Sequence, residues 1–146
     1  MTKQKKAKLV SKHKLVFISH HGVDSWVAKQ IEVQVKKLGA DVFLDRTQNL
    51  IGEEFEEKIM AALGKSDELL VLLTPWALNR PYVWTEVGFA LGKKIPIVGV
   101  LYGVQPGDPA IPEYMRRRIM IDVNELDKYF DQLRVRIKPK KRRSKI

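Results

Sequence analysis

The sequence predicts a doubly wound α/β domain, a parallel sheet with helices on both faces, and three observations predict it. Strand-like and helix-like stretches alternate along the body of the chain. The strand-like stretches are almost continuously apolar, so each must be covered on both sides. Five of them fall between residues 14 and 133, a length that encloses one hydrophobic core. Such a pattern favours the flavodoxin-like strand order 2-1-3-4-5 with right-handed crossovers, a three-layer sandwich.

The elements follow in order. LVFIS at 15–19 is β-branched and aromatic, a buried strand, and His20-His21-Gly22 breaks it. Asp24 or Ser25 caps a helix to about Leu38, with Val27, Ile31, Val35 and Leu38 on one face and Gly39 ending it. DVFL at 41–44 is the second strand, and the polar stretch Asp45–Gly52 follows as a flexible loop. A second helix spans about Glu53 to Lys65, its acidic first turn suited to the helix dipole. ELLVLL from Glu68 is the third strand. Thr74–Arg80 is a loop with one helical turn, and Pro81 then starts a helix through Gly92. IPIVGV at 95–100 is the fourth strand. A Gly/Pro-rich loop, a short helix at 113–118, a weak strand at 119–121 and a last helix to about Leu133 complete the body.

The formal net charge of +10 is concentrated at the ends. Residues 1–14 hold 6 Lys and residues 134–146 hold 8 Lys or Arg, neither with an acid. The stretch between them has 13 basic and 17 acidic residues. The expected organisation is a basic tail over 1–13, one domain over 14–133 and a second basic tail over 134–146. The tails carry no interleaved aromatics for base stacking, so they read as solvated and disordered, with weak non-specific phosphate binding as the alternative and no specific nucleic acid as partner. There are no cysteines, which excludes disulfides, thiolate catalysis and Cys-zinc sites. No apolar run approaches a membrane span, and no signal-peptide pattern follows the N-terminus. A cytoplasmic location is the expectation.

The common chemical motifs fail. Gly64-Lys65-Ser66 resembles the end of a P-loop, but position 59 is Ile where a glycine is required, and the triplet ends a helix. No dinucleotide fingerprint or nucleophile elbow exists. His20 and His21 are adjacent on an extended segment and point opposite ways, which suits loop hydrogen bonding better than a metal. One carboxylate remains. Glu86 is the only charge in PYVWTEVGFALG, where Val83, Val87, Ala90 and Leu91 mark a buried helical face. Either it points to solvent or it is kept for chemistry, because a desolvated carboxylate costs free energy. In the expected topology the chain reverses between strands one and three, and ligands bind there beyond the carboxyl ends of the strands. Ser19–His21, Asp45–Gly52 and Thr74–Glu86 converge on that point. A carboxylate beside aromatic rings suits a flat cationic ligand bearing a ribose: the rings stack and the carboxylate accepts from hydroxyls or stabilises an oxocarbenium-like charge.

Three stretches in order resemble the TIR (Toll/interleukin-1 receptor) domain family in its bacterial form. LVFISHHGVD at 15–24 resembles its first box, a strand followed by S-H-x-x-x-D. VFLDRTQNLIG at 42–52 resembles its second, and LVLLTPWALNRPYVWTEVGFAL at 70–91 its third, an S/T-P turn and an aromatic-x-x-x-Glu helix. The resemblance implies the five-stranded fold and self-association through TIR–TIR contacts, with the Asp45–Gly52 loop meeting a neighbour and a possible activating partner protein. It also implies cleavage of the nicotinamide–ribosyl bond of NAD+, as substrate with no cofactor or metal, giving nicotinamide and ADP-ribose or a cyclic isomer in defence or signalling. Glu86 matches the catalytic glutamate. Tyr82 holds the aromatic position, usually Trp, and Trp84 competes for the stacking role. Ser19 and His20 would line the site, and Asp45 and Arg46 would begin the mobile loop, Arg46 reaching the pyrophosphate. Two rivals stand beside this reading: a non-catalytic TIR adaptor, and another base–ribose enzyme such as a nucleoside deoxyribosyltransferase, which calls for a further acid near the site.

Overall fold

The computed structural model describes residues 14–44 and 53–137. The strands are β1 (Leu15–Ser19), β2 (Asp41–Leu44), β3 (Glu68–Leu73), β4 (Ile97–Leu101) and β5 (Ile119–Asp122). The helices are α1 (Ser25–Lys37), α2 (Glu53–Gly64), α3 (Pro81–Gly92) and α4 (Leu126–Ile137), with short 3-10 turns at Gly22–Asp24, Ala77–Asn79, Glu113–Arg117 and Val123–Glu125. All neighbouring strands pair in parallel, in the order β2-β1-β3-β4-β5, as the alternation predicts.

Side-chain alternation splits the core into two layers. Phe17, Leu69, Val71 and Leu73 point to one face, where Leu63 of α2 and Val83, Val87 and Ala90 of α3 cover them. Val16, Ile18, Leu70 and Leu72 point to the other, beneath Ala28, Ile31 and Val35 of α1 and Tyr129 and Leu133 of α4. All six residues of β3 are buried, which makes it the spine of the sheet. Burying each large aliphatic side chain contributes about 1.5–3 kcal/mol. That is why five short strands suffice.

The boundaries shift at two places. The fourth strand begins at Ile97 instead of Ile95. The Ile95 amide is used to close α3, donating to the Ala90 carbonyl, and Pro96 has no amide to give. The last helix runs four residues past the expected Leu133, to Ile137. Tyr129, Leu133 and Ile137 continue its apolar stripe onto the same core layer. The expected second basic tail therefore starts inside a helix. Gly39 ends α1 with φ 105°, as a left-handed helix stop requires. The equivalent stop after α3 is Lys94, at φ 60°, where a side chain costs roughly 1–2 kcal/mol that glycine avoids. The loop Asp45–Gly52 and the tails 1–13 and 138–146 lie outside the described residues. Among those described, no helix is long and apolar enough to cross a membrane.

Candidate active site

The strand order reverses between β1 and β3, and the crevice at their carboxyl ends is where a doubly wound sheet holds ligands. Ser19, the last residue of β1, is fully buried there. Its hydroxyl donates to Oε1 of Glu86 at 2.5 Å. Val83, Glu86, Val87 and Ala90 are the buried residues of α3, a continuous i, i+3, i+4, i+7 stripe. Glu86 thus stands on the inward stripe of its helix, 2% exposed, and the solvent-facing alternative is excluded. Holding a carboxylate at this depth costs several kcal/mol, which the Ser19 hydroxyl offsets in part.

One turn earlier on α3, Tyr82 reaches the loop after β1. Its hydroxyl donates to the His20 carbonyl at 3.1 Å and lies 3.2 Å from Nδ1 of His21. The His20 side chain is buried, with Nε2 3.4 Å from the Ser25 hydroxyl. The structure therefore brings together Ser19 and His20 at the end of β1 with Tyr82 and Glu86 of α3, contacts that span 61 to 67 residues of sequence. It does not bring Trp84 to them. Two residues before Glu86, Trp84 emerges elsewhere on the helix, and its Nε1 donates to the Leu78 carbonyl at 2.9 Å. The indole braces the Ala77–Asn79 turn against the core layer of α3. Of the two competing rings, Tyr82 borders the crevice. Asp45 and Arg46 lie outside the described residues.

A second buried carboxylate stabilises the same edge, and sequence reasoning gave it another role. Asp24, expected as a cap for the first helix, makes no capping bond. Instead its Oδ2 accepts from the buried Thr74 hydroxyl at 2.6 Å, and Thr74 Oγ1 accepts from the Ala77 amide. This pair ties the segment between β1 and α1 to the segment between β3 and α3, next to the strand end that holds Ser19 and ahead of the helix that holds Glu86. The Thr74 partner lies 50 residues away, and no local pattern announces it. His21, for which loop hydrogen bonding was expected over a metal, takes such a role through the Tyr82 hydroxyl. Among the described residues no group of three or more His, Asp or Glu side chains could hold a metal ion.

The geometry defines a doubly wound α/β domain that carries a hydrogen-bonded buried carboxylate at its topological switch point. More specifically, the chain belongs to the TIR domain family, whose sequence profile matches residues 16–136. A relative described as a probable 2' cyclic ADP-D-ribose synthase from Brachypodium distachyon is 26% identical over 100 residues, 67% of this chain and 45% of that protein. The chain thus spans less than half the length of that relative. Among solved structures, a TIR-STING receptor from C. gigas superposes with a TM-score of 0.66 at 20% identity, over 85% of this chain and 39% of the receptor. A 2-deoxyribosyltransferase from Bacillus psychrosaccharolyticus superposes with a TM-score of 0.62 at 15% identity, over 87% of this chain and 99% of the enzyme. These structural likenesses establish the shared fold.

Proposed function

We propose that this TIR domain cleaves the nicotinamide–ribosyl bond of NAD+, with Glu86 as the catalytic carboxylate. The observation that carries the reading is the burial of Glu86 at the carboxyl end of the sheet, accepting from Ser19. Nicotinamide leaves as a neutral base when its bond to C1′ breaks, so no general acid is required. The Glu86 carboxylate stabilises the positive charge that develops on the ribose, and its low-dielectric surroundings strengthen that interaction. Water adds to C1′ and loses a proton, giving ADP-ribose; attack by a group of the same molecule gives a cyclic isomer. Ser19 holds the carboxylate in place, and Tyr82 borders the site. The relative from Brachypodium, named for a cyclic ADP-ribose product, supports the same chemistry at the level of the family.

Self-association belongs to this proposal. Val23 and Trp26 after β1, and Trp76 after β3, are 65%, 73% and 55% exposed beside the crevice. Large apolar side chains grouped at one edge are suited to contact with another copy. The test is nicotinamide release from NAD+ by concentrated protein, with and without a crowding agent. Release that Glu86→Ala abolishes is the expected result. The rival with an observation behind it is a non-catalytic adaptor: the Ser19–Glu86 bond would equally fasten two loops of a binding module. Absence of release under every assembly condition, or equal release by Glu86→Ala, selects that rival.

A further inference from the structure

The sheet has a second edge, at the amino ends of the strands, and its chemistry is distinct. Every helix returns the chain to this edge, and almost every return ends on lysine or arginine. Lys37 closes α1, Lys65 follows α2, Lys93 and Lys94 follow α3, and Arg117 and Arg118 precede β5, all exposed. Among the described residues none of these six forms an ion pair. Acids at the same edge are fewer. Asp41 is exposed, Asp67 accepts from the Leu15 amide, and Glu68 is buried against Arg136. Cations at helix ends ordinarily complement the helix dipole, and that would explain Lys37. It accounts only weakly for Arg117 and Arg118, which end a five-residue 3-10 turn and no α-helix, and not for Lys94, which holds a strained left-handed backbone where glycine is the relaxed choice.

Both ends of the described chain leave from this edge. Lys14 precedes β1, and its carbonyl accepts from the Asp41 amide at the start of β2. At the other end, Ile137 packs within 3.7 Å of where a side chain on Gly39 would stand, and Arg136 reaches Glu68 at the start of β3. By composition alone, residues 1–13 hold 5 Lys and residues 138–146 hold 6 Lys or Arg, with no acid. Two exposed aliphatic side chains lie beside basic residues: Ile119 next to Arg118, and Val135 between Arg134 and Arg136, which pair with Asp131 and Glu68; they are 58% and 73% exposed. Of the exposed rings, Trp26, Trp76 and Tyr102 are at the opposite, crevice edge, and Tyr114 lies in the 3-10 turn that ends at Arg117.

From this polarity we infer that the amino-end edge is a docking surface for an anionic lipid membrane. Phosphate and carboxylate headgroups attract the clustered cations, and the interfacial region accepts Ile119 and Val135. A nucleic acid would attract the same cations but makes no use of bare aliphatic side chains, and the exposed tryptophans that could stack on bases face away. In this orientation the crevice edge, with its exposed apolar group, faces away from the lipid. The inference is independent of whether the crevice cleaves NAD+.

The test is co-sedimentation of the full chain with phosphatidylcholine vesicles, with and without phosphatidylserine, and with a homopolymeric single-stranded RNA as competitor. Each basic residue that reaches an anionic surface strengthens binding about five-fold. Partition onto phosphatidylserine vesicles, released by salt and weakened more than ten-fold by Lys93→Glu with Lys94→Glu, Arg117→Glu and Arg118→Glu, supports the inference. So does weaker vesicle binding by Ile119→Ser with Val135→Ser, with RNA binding unchanged. Lys94→Gly separates charge from folding, because it removes strain: a higher melting temperature with weaker vesicle binding is expected. Indifference to phosphatidylserine, wild-type partition of the four-charge variant, or binding to RNA that displaces the vesicles would overturn it.

Discussion

Glu68 and Glu86 are buried to similar depth, 5% and 2% exposed, at opposite ends of the same sheet. Glu68 opens β3 at the amino edge. It accepts from the Tyr129 hydroxyl and from Arg136 at 3.0 and 3.3 Å, so a buried phenol and a guanidinium satisfy both its oxygens. Burial first, and then the charge of Glu68, push the Tyr129 phenol well above its ordinary range, so it remains a protonated donor. Glu86 stands at the carboxyl edge and accepts from the neutral hydroxyl of Ser19. Depth alone therefore does not mark a functional carboxylate. What separates the two is where they stand: one is fastened under the last helix, and the other is at the mouth the topology leaves for a ligand.

The contrast can be broken first at Glu68. Replacing it by Ala leaves Tyr129 and Arg136 without their acceptor and should destabilise the domain by about 3 kcal/mol, most of it from the buried phenol. Denaturant unfolding measures this, and nicotinamide release per folded molecule should not change. Asp24, at the same edge as Glu86, acts on both properties. Asp24→Ala releases the tie to Thr74, and a loss of about 2 kcal/mol is expected. Release should also fall, because the segments flanking Ser19 and α3 are no longer fixed together, and Thr74→Ser should preserve both.

Smaller effects sharpen the comparison. An unfolded tyrosine ionises near pH 10, whereas folded Tyr129 keeps its proton, so the unfolded state binds fewer protons above about that pH. Stability should fall there, and Tyr129→Phe should flatten that slope in melting curves taken across the alkaline range. At the crevice, Tyr82→Phe keeps the ring and loses the hydroxyl bonds to the His20–His21 loop. About 1 kcal/mol of stability and less than ten-fold in rate are the expected losses, the latter read from initial nicotinamide release.

The fold was almost wholly legible from periodicity, because continuously apolar strands and capped amphipathic helices are local signals. One departure is local, the Ile95 amide closing α3 on Ala90 five residues back; the other is non-local, α4 extending because Ile137 packs near Gly39, just past α1, and Arg136 pairs with Glu68 of β3. At the site, the position of Glu86 on the i+3 member of the Val83–Ala90 stripe was present in the sequence. Its acidity made it look like an interruption of the apolar face. The choice between Tyr82 and Trp84 was not legible, since it depends on which backbone carbonyl each polar tip can reach. Asp24 does stand at the N-cap position expected for it or Ser25, but its side chain bonds Thr74 instead of the helix, a partner brought near only by the parallel pairing of β1 with β3.

The most direct test sets Glu86→Gln beside Glu68→Gln and measures nicotinamide release and the denaturation midpoint of each at equal folded fraction. Glu86→Gln should lose on the order of 100- to 1000-fold in rate and keep its midpoint within about 1 kcal/mol of wild type, since the amide oxygen still accepts from Ser19. Glu68→Gln should lose stability and keep its rate. Wild-type release by Glu86→Gln, or an equal loss of rate in well-folded Glu68→Gln, would contradict the assignment of chemistry to the crevice carboxylate alone.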